Sequence, residues 1–144
     1  MDKQQTFSHE NNHNDMAEIN KLIEDLEFET AKGLLENKLK QDPNNIEYID
    51  TLSEVLMNLD EPEAAEKLIK KSISLEPNKN AEKYMTLGQL SDCRSALKLY
   101  EKGVSIFQGE LNMEIDDNKR SQIKSSLASA YAAIAELFMN SDLW

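Results

Sequence analysis

Asp42-Pro43-Asn44 and Glu76-Pro77-Asn78 stand thirty-four residues apart in a chain of 144 residues. Between them apolar residues recur at helical spacing, with Leu52 and Leu56 in one run and Leu68, Ile69 and Leu75 in the next. The runs are parted by Asn58-Leu59-Asp60-Glu61-Pro62, where proline stands at a position in which a helix begins without losing a needed N–H. Counting back twelve residues from each proline of the two marks reaches Ala31 and Ala65, small residues where two helices must approach closely. A self-similar unit of this length, made of two helices and a turn, predicts an all-α fold of stacked helical hairpins.

The pattern extends in both directions. It predicts a first hairpin over 16–44, a second over 46–78 and a third over 80–107. In the third, Tyr84-Met85-Thr86-Leu87-Gly88-Gln89-Leu90 is followed by Ser91-Asp92 and then Ala96-Leu97-Lys98-Leu99-Tyr100, with a first helix about one turn short. No proline closes this unit. The segment 108–117, Gln-Gly-Glu-Leu-Asn-Met-Glu-Ile-Asp-Asp, is expected to be an acidic loop. A further Ala-rich helix over 118–139 would carry Leu127, Tyr131, Ile134, Leu137 and Phe138, with an apolar face left partly uncovered. Residues 1–15 are polar apart from Met1 and Phe7 and read as a disordered tail.

Composition narrows the chemistry. A formal net charge of −11 repels nucleic acid phosphates, so nucleic acid is excluded as a partner. No apolar run approaches the roughly 20 residues that span a bilayer, which predicts no membrane partner. The single cysteine and the polar start of the chain imply a reduced, intracellular protein, and Cys93 is expected to pack beside Ala96 in a turn. Lys70-Lys71 and Lys119-Arg120 are only pairs and make no nuclear localisation signal.

Catalytic motifs fail on context. His9-Glu10-Asn11-Asn12-His13 matches the zinc-protease spacing, but that chemistry needs a rigid helix, a third ligand and burying apolar neighbours, and Asn, Gln, Ser and Asp surround it. Gly33, Gly88, Gly103 and Gly109 are too scattered for a phosphate loop, and no histidine accompanies Cys93. Asp116-Asp117 and Glu24-Asp25 read as solvated surface. No catalytic residue, metal site, cofactor or small-molecule substrate is expected, and the chain reads as a non-enzymatic binding module.

The hairpin pattern resembles the tetratricopeptide-repeat (TPR) solenoid, here with about three helical hairpins and one additional helix. In such arrays the first helix of each unit lines a groove, which makes Glu47, Asp50, Thr51, Glu54, Met57, Asn58, Glu82, Met85 and Gln89 the candidate partner-binding residues. Ile46 to Asn58 holds three of these carboxylates and no lysine or arginine, a stripe suited to a basic ligand. Capture of an acidic chaperone tail would instead need basic or amide groups where Met16, Glu47, Thr51 and Glu82 stand, with Asn20 filling only one place.

The stretches 84–91, 96–103 and 128–139 further resemble the dedicated TPR chaperones of the large-subunit ribosomal protein L-four. Met139-Asn140-Ser141-Asp142-Leu143-Trp144 is similar to that family's Met-Thr-Asp-Leu segment with one residue inserted, and the family continues through several more repeats. The resemblance covers about residues 16–144. It implies a cytoplasmic protein, reaching the nucleus with its client, that binds a newly made basic ribosomal protein. A generic TPR scaffold in another complex is the alternative.

Overall fold

The computed structural model describes residues 14–140, so His9, His13, the rest of the tail before residue 14 and the pair Leu143-Trp144 lie outside the described residues. Among the described residues there are seven helices and no strand. They are α1 (14–24), α2 (Phe28–Gln41), α3 (Ile46–Asn58), α4 (Pro62–Leu75), α5 (Ala81–Gln89), α6 (Cys93–Met113) and α7 (Asp117–Asn140). The chain divides into two compact units, Met1–Ser72 and Ile73–Trp144.

In the first unit α1 pairs with α2 and α3 with α4 through turns of one design. Leu26 and Asp60 both adopt left-handed backbone, with φ of 60° and 58°. The next amide reaches back to close the helix end, Glu27 N–H to the Leu22 carbonyl at 2.8 Å and Glu61 N–H to the Leu56 carbonyl at 2.9 Å. This closure satisfies carbonyls that lose their helical partners, and it favours glycine at the left-handed position. Aspartate tolerates that conformation better than leucine does. Leu26 also leaves 72% of its surface exposed, so its side chain returns little packing.

Pro43 ends α2, and Asn45 starts α3 by accepting the Tyr48 amide on its side-chain oxygen at 3.2 Å. The hairpins then close on a core of Met16, Ile19, Ala31, Leu35, Tyr48, Leu52, Val55, Leu56 and Ala65. Ala31 and Ala65 are fully buried. Lys32 bridges from α2 to Glu61 at 3.0 Å, and Lys38 to Asp15 at 2.5 Å. Partly exposed pairs of this kind add little beside the core.

The second unit begins with the last residues of α4. Pro77 ends the preceding turn as Pro43 does, but the following cap differs: Asn80 is left-handed, with φ of 60° and no side-chain cap. The segment is held from α5 instead. Lys83, itself buried, donates its Nζ to the Glu76 carbonyl at 2.6 Å, and the Tyr84 hydroxyl donates to the Pro77 carbonyl. Asp92 opens α6 by accepting the Ser95 amide at 3.0 Å, a bond that holds its carboxyl below the usual carboxylate range. Ala81, Tyr84, Val104, Ile106, Phe107, Leu127 and Ala130 form the second core.

Gly88 sets the close approach of α5 to α6. A Cβ built there would stand 2.3 Å from the Tyr100 ring, and Tyr100 is buried.

Two expectations are corrected. The segment 108–117 is not an acidic loop: α6 continues to Met113, and only 114–116 are non-helical. Phe107 and Leu111 are one turn apart on the face that packs against the second core, and no proline interrupts them, so the helix carries on. Cys93 does not lie packed in a turn but is the exposed first residue of α6, directly after its Asp92 cap.

Two substitutions test these backbone assignments. Leu26→Gly removes left-handed strain at an exposed site and is expected to gain about 0.5–1 kcal/mol. Gly88→Ala drives a methyl into Tyr100 and is expected to cost about 1–3 kcal/mol. Urea unfolding of both variants checks the signs. A stabilised Gly88→Ala chain would contradict the α5–α6 packing.

A candidate partner-binding face

On α3 the buried residues are Tyr48, Ile49, Leu52, Ser53, Val55 and Leu56. The remaining stripe holds Glu47, Asp50, Thr51, Glu54, Met57 and Asn58, which share one side because they recur three and four residues apart. Glu47, Glu54 and Asn58 are exposed, and Asp50, Thr51 and Met57 are half-buried.

The hydrogen bonds decide what this stripe offers. The Thr51 hydroxyl donates to the Glu47 carbonyl at 2.7 Å, and the Asn58 side-chain amide donates to the Glu54 carbonyl at 2.9 Å. The hydroxyl proton and one amide hydrogen are thus turned inward to their own helix. Facing outward are the carboxylates of Glu47 and Glu54, with the acceptor oxygens of Thr51 and Asn58. A face so rich in acceptors matches lysine and arginine, which carry donors only.

Asp50 has a different task. Its Oδ1 accepts the Ser72 hydroxyl at 2.5 Å, joining α3 to α4, and Ser72 is fully buried. Among the three carboxylates of the stripe, Asp50 is therefore a structural clasp as well as a charge. The sequence alone gave no sign of this, because twenty-two residues separate the partners.

In the second unit Glu82, Met85 and Gln89 lie three and four residues apart on α5, with Glu82 and Gln89 exposed. Met85 is half-buried, and its sulfur lies 3.0 Å from where a Cβ on Gly103 would stand, so it packs toward α6. Sequence reasoning missed Glu110, which it placed in a loop. On the helix its carboxyl is pushed up, first by burial and then by the charge of Glu82. Among the described residues no group of three or more histidines, cysteines or acidic residues is placed to hold a metal ion.

No protein-family model matches the chain. The probable assembly chaperone of rpl4 from Schizosaccharomyces pombe is 35% identical over 127 residues, which is 83% of this chain and 36% of that protein. The chain therefore spans about a third of the length of this curated relative. Among solved structures, the assembly chaperone of RpL4 (Acl4, residues 1–338) superposes with a TM-score of 0.79 at 15% identity, over 90% of this chain and 55% of that one. The Sgt2 TPR domain from Aspergillus fumigatus matches with a TM-score of 0.61 at 20% identity, over 86% and 79%.

The chain belongs to the family of the rpl4 assembly chaperones and has the tetratricopeptide-repeat fold. The structural matches bear out the TPR fold, and the sequence relative bears out the resemblance to the dedicated chaperones of ribosomal protein L-four. These similar proteins are chaperones and TPR modules. Within this TPR chain, the two roles on α3 separate by mutation. Asp50→Ala leaves the Ser72 hydroxyl without that acceptor and is expected to cost about 1–3 kcal/mol. Glu54→Ala, on the exposed part of the same stripe, is expected to change stability by no more than about 0.5 kcal/mol. Thermal and urea unfolding of the two variants measure the contrast.

Proposed function

We propose that this TPR chain is a non-catalytic chaperone module that binds and protects a newly made basic protein of the rpl4 type for ribosome assembly. The observation that carries the proposal is the acceptor-rich face of α3, where Glu47 and Glu54 are exposed and neither lysine nor arginine is present between Ile46 and Asn58. The names of the sequence relative and of the Acl4 structure supply the client class. A basic, partly disordered client exposes charge that would otherwise attract RNA. An acidic, acceptor-bearing face neutralises that charge until rRNA competes for it. Glu82, Met85 and Gln89 add a second contact on α5, with Glu110 beside them. Binding in the cytoplasm and release in the nucleus complete the proposal.

Calorimetric titration of the full chain with purified rpl4, beside an equally basic ribosomal protein, tests the reading. Selective binding that weakens with salt is expected, because screening shortens the reach of the face's field. The double variant Glu47→Lys/Glu54→Lys is expected to lose about tenfold or more in affinity while still folding, since Asp50 and its Ser72 bond are left intact. Equal affinity for both basic proteins would mean charge without recognition, and unchanged affinity in the double variant would remove α3 from the site.

A further inference from the structure

We propose that the turn between α6 and α7 is a second docking point, which takes a basic polypeptide segment that also carries apolar side chains. Met113 and Ile115 are 85% and 93% exposed there, and neither belongs to a core cluster. Folding makes no use of them.

Polar groups pin the backbone of this turn. Arg120 donates from one guanidinium nitrogen to the carbonyls of Leu111 at 2.6 Å and Glu114 at 2.8 Å, which closes the end of α6. Glu114 accepts the amides of Ile115 at 3.1 Å and Asp116 at 3.0 Å, and Asp116 accepts the Lys119 amide at 2.9 Å to start α7. The two apolar side chains are thus presented from a pinned backbone, which lowers the entropy cost of using them in a complex.

The surroundings select the occupant. Glu110, Glu114, Asp116 and Asp117 flank the pair, whereas Arg120 is half-buried against α6, which leaves Lys119 as the exposed cation of this stretch. An apolar centre with a charged rim is the anatomy of a protein contact, and methionine adapts to varied partners. Anionic lipid and nucleic acid are repelled by this rim. A second copy brings the same acidic rim and a net charge of −11. A segment alternating basic and apolar residues meets both features. Glu110 stands one turn before Met113 on the same side of α6, which places a carboxylate beside the apolar pair.

Two synthetic peptides of equal positive charge separate the outcomes, one alternating lysine or arginine with leucine and the other alternating them with serine. In an NMR titration of the full chain, the leucine peptide is expected to shift the Met113 and Ile115 amides and to bind about tenfold more tightly than the serine peptide. M113S/I115S is expected to abolish that preference without lowering the melting temperature, since both side chains are exposed. Equal affinities, or a preference that survives M113S/I115S, would overturn the proposal. So would a concentration-dependent dimer in sedimentation that the double substitution dissolves, because the occupant would then be a second copy. The client reading fails separately. If rpl4 does not bind while the leucine peptide selects the turn, that reading falls and this one stands.

Discussion

The hairpins rest on the removal of side-chain bulk where helix backbones meet. Ala31, Ala65 and Ala96 are buried near the start of α2, α4 and α6, and Gly88 leaves room for the ring of Tyr100. A larger side chain at any of these sites would push two helices apart and open the core beneath them. The large residues then fill what the small ones define: Tyr48 and Leu52 in the first unit, Tyr84 and Phe107 in the second.

What the sequence makes legible is local. Prolines 43 and 77, the buried alanines and the apolar periodicity of α3 each act within a turn or two of helix, so their spacing exposes them. The 108–117 segment was misread because its composition resembles a loop. Its helix is closed from outside by Arg120, nine residues beyond Leu111, and no short-range rule points to that guanidinium. The bond of Asp50 to Ser72 is hidden for the same reason. Ser72 lies on another helix, and an acidic residue on a helical stripe gives no hint of which neighbour it serves. Asn45 and Asn80 show the limit even within a repeat, since equivalent asparagines cap by a side-chain bond in one case and adopt left-handed backbone in the other.

Charge alone says little about recognition in so acidic a chain. The direction of hydrogen bonds says more. On α3 the hydroxyl of Thr51 and an amide hydrogen of Asn58 are spent on their own helix, and this turns a mixed polar surface into one dominated by acceptors. The stripe thereby presents acceptors at two positions that carry no charge themselves. The same stripe also holds α3 to α4, through the bond of Asp50 to Ser72.

The third hairpin breaks the measure set by the first two. Ala31 and Ala65 are thirty-four residues apart, but Ala65 and Ala96 only thirty-one, and α5 has nine residues where α3 has thirteen. Three residues are close to, but less than, one helical turn, so their loss leaves an angular offset of about 60°. Positions matched by counting from one repeat to the next thus fall on different sides of α4 and α6, which start thirty-one residues apart at Pro62 and Cys93. A comparison that walks along the chain with a fixed period loses phase between the start of α5 and the start of α6. Alignments of such arrays need to be anchored separately in each hairpin, on its buried small residue, before any position is read as equivalent.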